Sequence, residues 1–316
     1  MTDDAAPAPL LSVAFLGPEG TFTEQALLSQ PDLAGQELVP MSTFAEVLAA
    51  VDVGAVDLGF VALENSIEGT VNVTIDALAL EHDLMIQREV VLGIQLSLMA
   101  PPGVGLADVE RVLTFPVAAA QCRSWLATEL PAAEVGAANS NAEAARIVAE
   151  DHDGRSAAIA PMLAAKIYGL EVLANDIEDH PENSTRFALV GRGPVPAPTG
   201  HDKTTIVVFQ RTDRAGSLLA ILQEFAARAI NLVKLESRPT KKALGDYCFI
   251  IDLEGHLADE LVADCLRDVR SKVADIKFLG SYPAAGEHGP SRRRDAEEAW
   301  RAADAWISAQ RAKLLP

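Results

Sequence analysis

The sequence predicts an α/β protein in two parts, a pair of α/β lobes followed by a smaller βαββαβ unit. Three observations predict it. Strand-like apolar runs alternate with helix-like segments through the first part, a pattern that builds sheets with helices on their faces. A stretch rich in proline and glycine, GRGPVPAPTGHDK (191–203), then interrupts the alternation and reads as a linker. Beyond it the strand and helix signals follow the ferredoxin-like order. With 316 residues and 49% hydrophobic content, the chain is long enough for two domains and apolar enough to fill a core in each.

The first lobe opens on a short apolar run at 11–16. Residues 21–29 predict a helix, because Thr21 and Glu24 stand at capping-box spacing. A second helix is expected at 45–51, and 58–63 is the continuous apolar run of a buried strand. Long strand-like stretches at 86–99 suit a crossover to a second lobe, with 175–190 as the return. Between them, 118–130, 141–150 and 161–168 predict helices and 157–160 a strand. Such alternation predicts parallel sheets. In the second part, strands are expected at 203–210, 232–236, 247–253 and 276–282, with helices at 217–229 and 259–272. The charged tail, 291–316, places Trp300, Ala303, Trp306 and Ile307 at helical spacing and predicts a docking helix. The expected domains are therefore 10–192, a linker at 193–202, 203–283 and a tail at 284–316. The two lobes of the first would take about 10–88 with 177–192, and 89–176.

Lys and Arg number 26 against 45 Asp and Glu, a formal charge of −19. That argues against nucleic acid or an anionic membrane surface as partner. An anionic ligand would have to be held by local donors. Cys122, Cys248 and Cys265 show no CxxC spacing and suit buried, reduced thiols. The start MTDDAAPAPL lacks the features of a signal peptide, and the most apolar stretch, 90–100, is too short to span a membrane. A soluble, cytoplasmic protein is expected. The six histidines, at 82, 152, 180, 201, 256 and 288, have no metal-ligand spacing, so no metal is expected. No glycine loop matches a phosphate-binding or dinucleotide fingerprint, so no nucleotide cofactor is expected.

Three strand-like runs meet polar turns. The first run enters Gly17-Pro18-Glu19-Gly20-Thr21, the run at 58–63 enters Glu64-Asn65-Ser66, and Asn183-Ser184-Thr185 precedes the run at 187–190. In open α/β sheets, ligands bind beyond the strand ends, where free backbone N–H groups collect. Gly17 and Gly20 allow close approach of backbone, and Thr21, Asn65 and Ser66 can donate hydrogen bonds. Taken alone, GxxGT is a helix cap and ENS an ordinary helix start. Together the three turns share neutral donors and small residues, which suits an anionic organic ligand. Arg186 has two readings from its type alone, a structural ion pair or a bidentate clamp on a carboxylate.

At these residues the chain resembles the prephenate dehydratase family. FLGPEGTFTEQA (15–26) is similar to the family's GPxGTF motif, and ALENSIEGTVNVTID (62–76) to its ENSxxG motif. Tyr168, Leu170, Leu173, Asp179 and Asn183 precede Thr185-Arg186-Phe187 at the family's spacing, and NLVKLESRP (231–239) resembles its regulatory ESRP motif. The match runs collinearly over about 10–282. It departs at Ala62, where proline is usual, and at Phe115, where a histidine before proline is common. Ala215-Gly216-Ser217-Leu218 stands for Pro-Gly-Ala-Leu, and Val233 for a hydroxyl residue; these departures bear on effector binding rather than on fold.

The resemblance implies a two-lobed, periplasmic-binding-protein-like catalytic domain followed by an ACT regulatory domain. It implies conversion of prephenate to phenylpyruvate with loss of CO2 and water, and needs no cofactor. Thr185 would be the proton donor; Gly20, Thr21, Asn65, Ser66, Asn183, Ser184, Arg186 and Phe187 would bind substrate. In the ACT domain, Gly216, Ser217, Leu218, Asn231, Leu232, Glu236 and Ser237 would hold L-phenylalanine as feedback effector. A homodimer or homotetramer joined through ACT domains is expected. Arogenate as substrate, or a binding protein without catalysis, are the alternatives.

Overall fold

The computed structural model describes residues 10–151, 153–210, 214–241, 243, 246–286 and 292–313, the last of these without side chains over 292–299. His152, His288, Ser291 and residues 314–316 lie outside them. The chain forms two compact units. One holds the residues up to Ala77 with Val90–Arg192; the other holds Leu78–Glu89 with the residues from Gly193 on.

The first sheet and its helices come from β1 (Ser12–Leu16), α1 (Phe22–Leu28), β2 (Glu37–Met41), α2 (Phe44–Asp52), β3 (Leu58–Asn65), β4 (Gly69–Thr70), α3 (Asn72–Leu80) and β5 (Met85–Gly93). The second sheet comes from β6 (Ser97–Ala100), β7 (Arg111–Thr114), α4 (Pro116–Gln121), α5 (Arg123–Glu129), β8 (Glu134–Ala137), α6 (Asn141–Glu150), β9 (Ser156–Ala160), α7 (Met162–Tyr168) and β10 (Glu171–Ala174). The chain then returns to the first sheet as β11 (Ser184–Gly191). Strand order is β2-β1-β3-β11-β5 in the first sheet, with β4 on β3, and β10-β6-β9-β7-β8 in the second.

Three expectations are corrected. The sheets are mixed rather than parallel. β1 runs parallel to β2 and β3, and β7 to β8 and β9, but β11 is antiparallel to β3, and β6 to both β9 and β10. The reason is that β11 enters from the second lobe at the polar end of its sheet and runs against its neighbour. The expected helix at 118–130 is two helices, broken at Cys122 (φ −114°, ψ 16°). Asp179 makes the break. Its N–H takes the Gln121 carbonyl at 2.6 Å, and its carboxylate accepts from Ser124 N–H at 3.2 Å. ENS starts no helix. It is the corner of a tight β3–β4 hairpin, with Asn65 opposite Gly69 and Gly69 at φ +79°. Three-residue hairpin loops favour glycine at that left-handed position.

Buried apolar residues back the first sheet: Val13, Phe15, Phe60, Phe187 and Leu189 pack with Ala26, Leu27 and Leu33. Phe60 and Phe187 stack with ring centroids 5.5 Å apart. The second lobe has its own core of Leu96, Leu98, Val112, Cys122, Ile159 and Ile177.

The second unit contains β12 (Asp202–Phe209), α8 (Ser217–Ala227), β13 (Leu232–Pro239), β14 (Tyr247–Glu254), α9 (Glu260–Lys272), β15 (Asp275–Pro283) and α10 (Arg292–Arg311). Its sheet order, β13-β14-β12-β15, is the antiparallel ferredoxin-like arrangement. One face packs Ile206, Val208, Phe249 and Ile251 on Ile221 and Phe225 of α8 and Val262, Cys265 and Val269 of α9. Residues 78–89 belong to this unit: Lys277 Nζ donates to the His82 carbonyl at 2.6 Å, and Lys203 pairs with buried Glu89 at 2.9 Å. Gly280 admits this strap, because a Cβ there would lie 2.4 Å from the Ile86 carbonyl oxygen. The tail is helical, but Trp306 is 62% exposed, so it does not dock that ring as expected.

Candidate active site

The three polar turns meet at one end of the first sheet. β1 and β3 are parallel neighbours, so both C-terminal ends point the same way, and antiparallel β11 begins where they finish. From β1 the chain goes out to β2 on one side, while β3 lies on the other. A crevice beyond strand ends at such a reversal is the usual ligand site of open α/β sheets. Register sets Thr185 opposite Asn65 and Arg186 opposite Glu64.

A chain of hydrogen bonds organises this end. Asn65 Oδ1 accepts from the backbone N–H groups of Ile67 (2.9 Å) and Glu68 (3.0 Å). A backbone N–H can only donate, so the Asn65 amide has one orientation. Its Nδ2 then donates to Asn183 Oδ1 at 2.8 Å and to Thr185 Oγ1 at 3.0 Å, with the Ser184 carbonyl at 3.2 Å. Asn183 Nδ2 donates to Gln121 Oε1 at 3.2 Å, and Gln121 Nε2 donates to Glu68 Oε1 at 3.3 Å. Every amide is oriented by the one before it. Thr185 therefore accepts from Asn65 and keeps its own O–H proton to donate.

The other residues divide by what they touch. Asn183 is 1% exposed. Its N–H donates to the His180 carbonyl, its carbonyl accepts from Ile94 N–H, and its amide is committed as above. It shapes the site and offers a ligand no surface. Ser66 and Ser184 clasp each other, Ser184 N–H to Ser66 Oγ at 3.0 Å and Ser66 N–H to the Ser184 carbonyl at 2.9 Å. Phe187 is 1% exposed, with its ring in the core stacked on Phe60 behind Thr185 and Arg186. Arg186 Nη1 lies 3.7 Å from Glu64 Oε2, with its side chain 13% exposed, and this is the ion-pair geometry.

The first turn is held by α1. Thr21 caps the helix, accepting from Glu24 N–H at 3.2 Å and donating to the Leu16 carbonyl at 2.9 Å, so its hydroxyl is committed. Glu24 reaches back one residue further than the capping box predicts and accepts from Gly20 N–H at 2.5 Å. Burial pushes the Glu24 carboxyl up; the Gly20 N–H works against this, and Glu19 adds to it. Gly20 sits at φ +88°, and a Cβ would lie 3.1 Å from Ala164 Cα of α7, so only glycine lets the turn lie against the second lobe. Tyr168 at the end of α7 fastens it, donating from its hydroxyl to the Glu19 carbonyl at 2.8 Å. Beside this turn opens a pocket of about 400 Å³, walled by Gly17, Pro18 and Ser42 from one lobe and Ser140, Glu143 and Arg146 from the other.

Sequence reasoning missed Gln121 and Glu68. The signal for Gln121 was a lone amide among Ala118, Ala119, Ala120 and Cys122 on a short helix. Among the described residues, no group of three or more His, Cys, Asp or Glu is placed to hold a metal ion. No described helix is long and apolar enough to cross a membrane.

The expected effector residues do not share one face. Gly216 (φ +86°) precedes α8, Ser217 Oγ donates to the Arg214 carbonyl at 2.6 Å, and Leu218 and Leu232 pack on the core. Asn231 is exposed and its carbonyl accepts from Glu254 N–H. Ser237 lines a pocket of about 190 Å³ with Gln210, Asp246, Tyr247 and Phe249. Glu236 pairs in register with Ile250 rather than Phe249 and sits between Lys234 (3.5 Å) and Arg238 (3.8 Å). Strand side chains alternate, so Glu236 and Ser237 point to opposite faces.

Comparisons with known proteins agree with this architecture. The prephenate dehydratase family model matches residues 13–195, and the ACT domain model matches 204–271. A relative named prephenate dehydratase, from Mycobacterium tuberculosis, is 44% identical over 294 residues, covering 89% of this chain and 90% of the relative. The crystal structure of a prephenate dehydratase from Arthrobacter aurescens in complex with L-Phe superposes with a TM-score of 0.87 at 41% identity, over 95% of this chain and 99% of that one. GqqA, described as a novel type of quorum quenching acylase, superposes with a TM-score of 0.77 at 30% identity, over 87% and 98% of the two chains. On the extent of these matches, the chain belongs to the prephenate dehydratase family and carries a C-terminal ACT domain.

Proposed function

We propose that this chain is a prephenate dehydratase in which Thr185 protonates the leaving hydroxyl. The observation that carries the reading is the Asn65–Thr185 hydrogen bond, which makes Thr185 an acceptor toward the protein and leaves its proton for the substrate. Loss of the ring carboxylate as CO2 releases an electron pair. That pair moves through the ring and expels the hydroxyl on the opposite carbon, and the ring becomes aromatic. The departing oxygen takes the Thr185 proton and leaves as water; the threonine oxygen is reprotonated from solvent. No ring proton is removed, so no strong base is required. Positioned acids of this kind contribute roughly 10²–10⁴-fold.

Ser66, Ser184 and the Gly20 turn form the wall around the reacting ring in this reading. Arg186 serves Glu64 and stiffens the β3–β11 pair. An acyl-transfer reading, suggested by the GqqA likeness, would need an activated nucleophile. The Cys122 thiol is buried and pushed up to about 12, mainly by desolvation, which speaks against it in that role.

The effector is L-phenylalanine, and residues 203–283 are its domain, joined to the catalytic domain (10–192) by 193–202. The edge strand β13 exposes Val233 and Leu235, and α8 exposes Leu219 to 59%. That apolar edge suits pairing between copies of the chain, as a dimer or a tetramer. Buried thiols at all three cysteines suit a reducing cytoplasm.

The test is turnover of prephenate and of arogenate by the wild-type chain and by Thr185→Ala. Phenylpyruvate formation should fall roughly 10²-fold or more in the variant with its fold intact. A kcat within about twofold of wild type would remove the proton-donor role. No turnover of either substrate by the wild type would favour a binding protein.

A further inference from the structure

We propose that Gln121 is a positioning residue for Thr185, carrying the position of the second lobe into the orientation of the proton donor. The proposal rests on the reading of Thr185 above. Gln121 belongs to α4 of the second lobe, whereas Asn65, Glu68 and Thr185 belong to strands and a hairpin of the first. Its side chain bridges them, accepting from Asn183 Nδ2 at 3.2 Å and donating to Glu68 Oε1 at 3.3 Å.

The geometry makes this more than a surface contact. Gln121 is 8% exposed and Asn183 1%, so neither amide has water as a ready substitute. The backbone of Gln121 is fixed as well, because α4 breaks there and Asp179 N–H takes its carbonyl. Asp179 stands four residues before Asn183 on the return segment, so that segment grips Gln121 by both its main chain and its side chain.

The chain also has a single direction. Backbone donors orient Asn65 at one end, and Glu68, which only accepts when ionised, orients Gln121 at the other. Turning any amide over would set donor against donor. With Gln121 in place, Asn183 Oδ1 faces Asn65 Nδ2 and holds it where it also meets Thr185 Oγ1. Separation of the lobes would release the Asn183 amide and, through Asn65, let the Thr185 rotor turn. The chemistry step would then depend on lobe position without any residue of the second lobe touching the reacting oxygen.

The test is a kinetic cycle on the full chain with prephenate. Gln121→Ala should lower kcat roughly ten- to hundredfold, the scale of an ångström of misplacement, with KM within about threefold. In a Thr185→Ala background the same change should lower the residual rate by less than about twofold, because the group it positions is gone. A structural role alone would give the same loss in both backgrounds and would overturn the proposal, as would a kcat for Gln121→Ala within twofold of wild type. Wild-type kcat in Thr185→Ala would overturn this and the proton-donor reading together. If Gln121→Ala does not fold, a swap carries the test. Gln121→Glu sets two carboxylates face to face and should be slow at pH 7. Adding Glu68→Gln reverses the last bond, amide donating to carboxylate, and should restore kcat to within about threefold of wild type. Failure of this rescue in a folded double variant overturns the proposal.

Discussion

Asn65 shows how much one amide settles at this site. It caps the β3–β4 hairpin with its oxygen and reaches Asn183 and Thr185 with its nitrogen. Asn65→Asp separates the two duties. The carboxylate still accepts from Ile67 and Glu68, so the hairpin persists, but it cannot donate to Thr185 Oγ1 and invites the threonine to donate back to it. We expect kcat to fall about 10²-fold with the circular dichroism spectrum unchanged. A kcat within threefold would show that the donor at Thr185 Oγ1 is dispensable. At this scale the residue types were legible and their employment was not. Thr21, Asn183 and Thr185 look alike as neutral donors in the sequence. The structure commits Thr21 to a helix cap and Asn183 to the interior, and leaves Thr185 its proton. Those commitments depend on partners more than a hundred residues away for Asn183 and Thr185, which no local pattern encodes.

Elements with local signals were read correctly, and those set by distant partners were not. Helices α1, α2 and α6 begin at Thr21, Thr43 and Ser140, each with a glutamate three residues on. Strands β2, β8 and β10, which the sequence did not announce, lie at sheet edges, where one side of the ladder is open and few side chains are buried. The break at Cys122 escaped notice because Asp179, far along the chain, makes it. The turn before α1 gives a prediction at this scale. Burial raises the Glu24 carboxyl above its unfolded value of 4.5. A raised acid favours the folded state below the unfolded pKa, and that contribution is lost as pH rises through the folded pKa. Glu24→Gln keeps an acceptor for Gly20 N–H and removes the charge. Its melting temperature relative to wild type should therefore climb as pH rises from about 4.5 toward neutrality, with the variant the more stable at pH 7. A difference independent of pH over that window would mean that Glu24 is not held in a desolvated state.

At the scale of the whole molecule, the ACT domain presents an open sheet edge. Its central strands β12 and β14 are buried on both faces, yet β13 lies at an edge with Val233 and Leu235 each 43% exposed, and helix α8 exposes Leu219. Glu236 and Ser237 point to opposite faces of that strand, and Ser237 lines a pocket of about 190 Å³. A ligand using both would need the strand to be covered from outside, which a second copy paired along the edge would do. Leu235→Glu tests this with a change confined to the ACT domain. It sets like charges against each other across any pairing of the edge, on a chain already at −19. Light scattering at micromolar concentration should show the mass falling toward that of one chain. The rate without phenylalanine should stay within about twofold of wild type, since the change lies in the other compact unit. Inhibition by phenylalanine should disappear together with the mass. An unchanged mass would place the contact between copies elsewhere. Loss of mass with inhibition retained would mean that one copy binds the effector unaided.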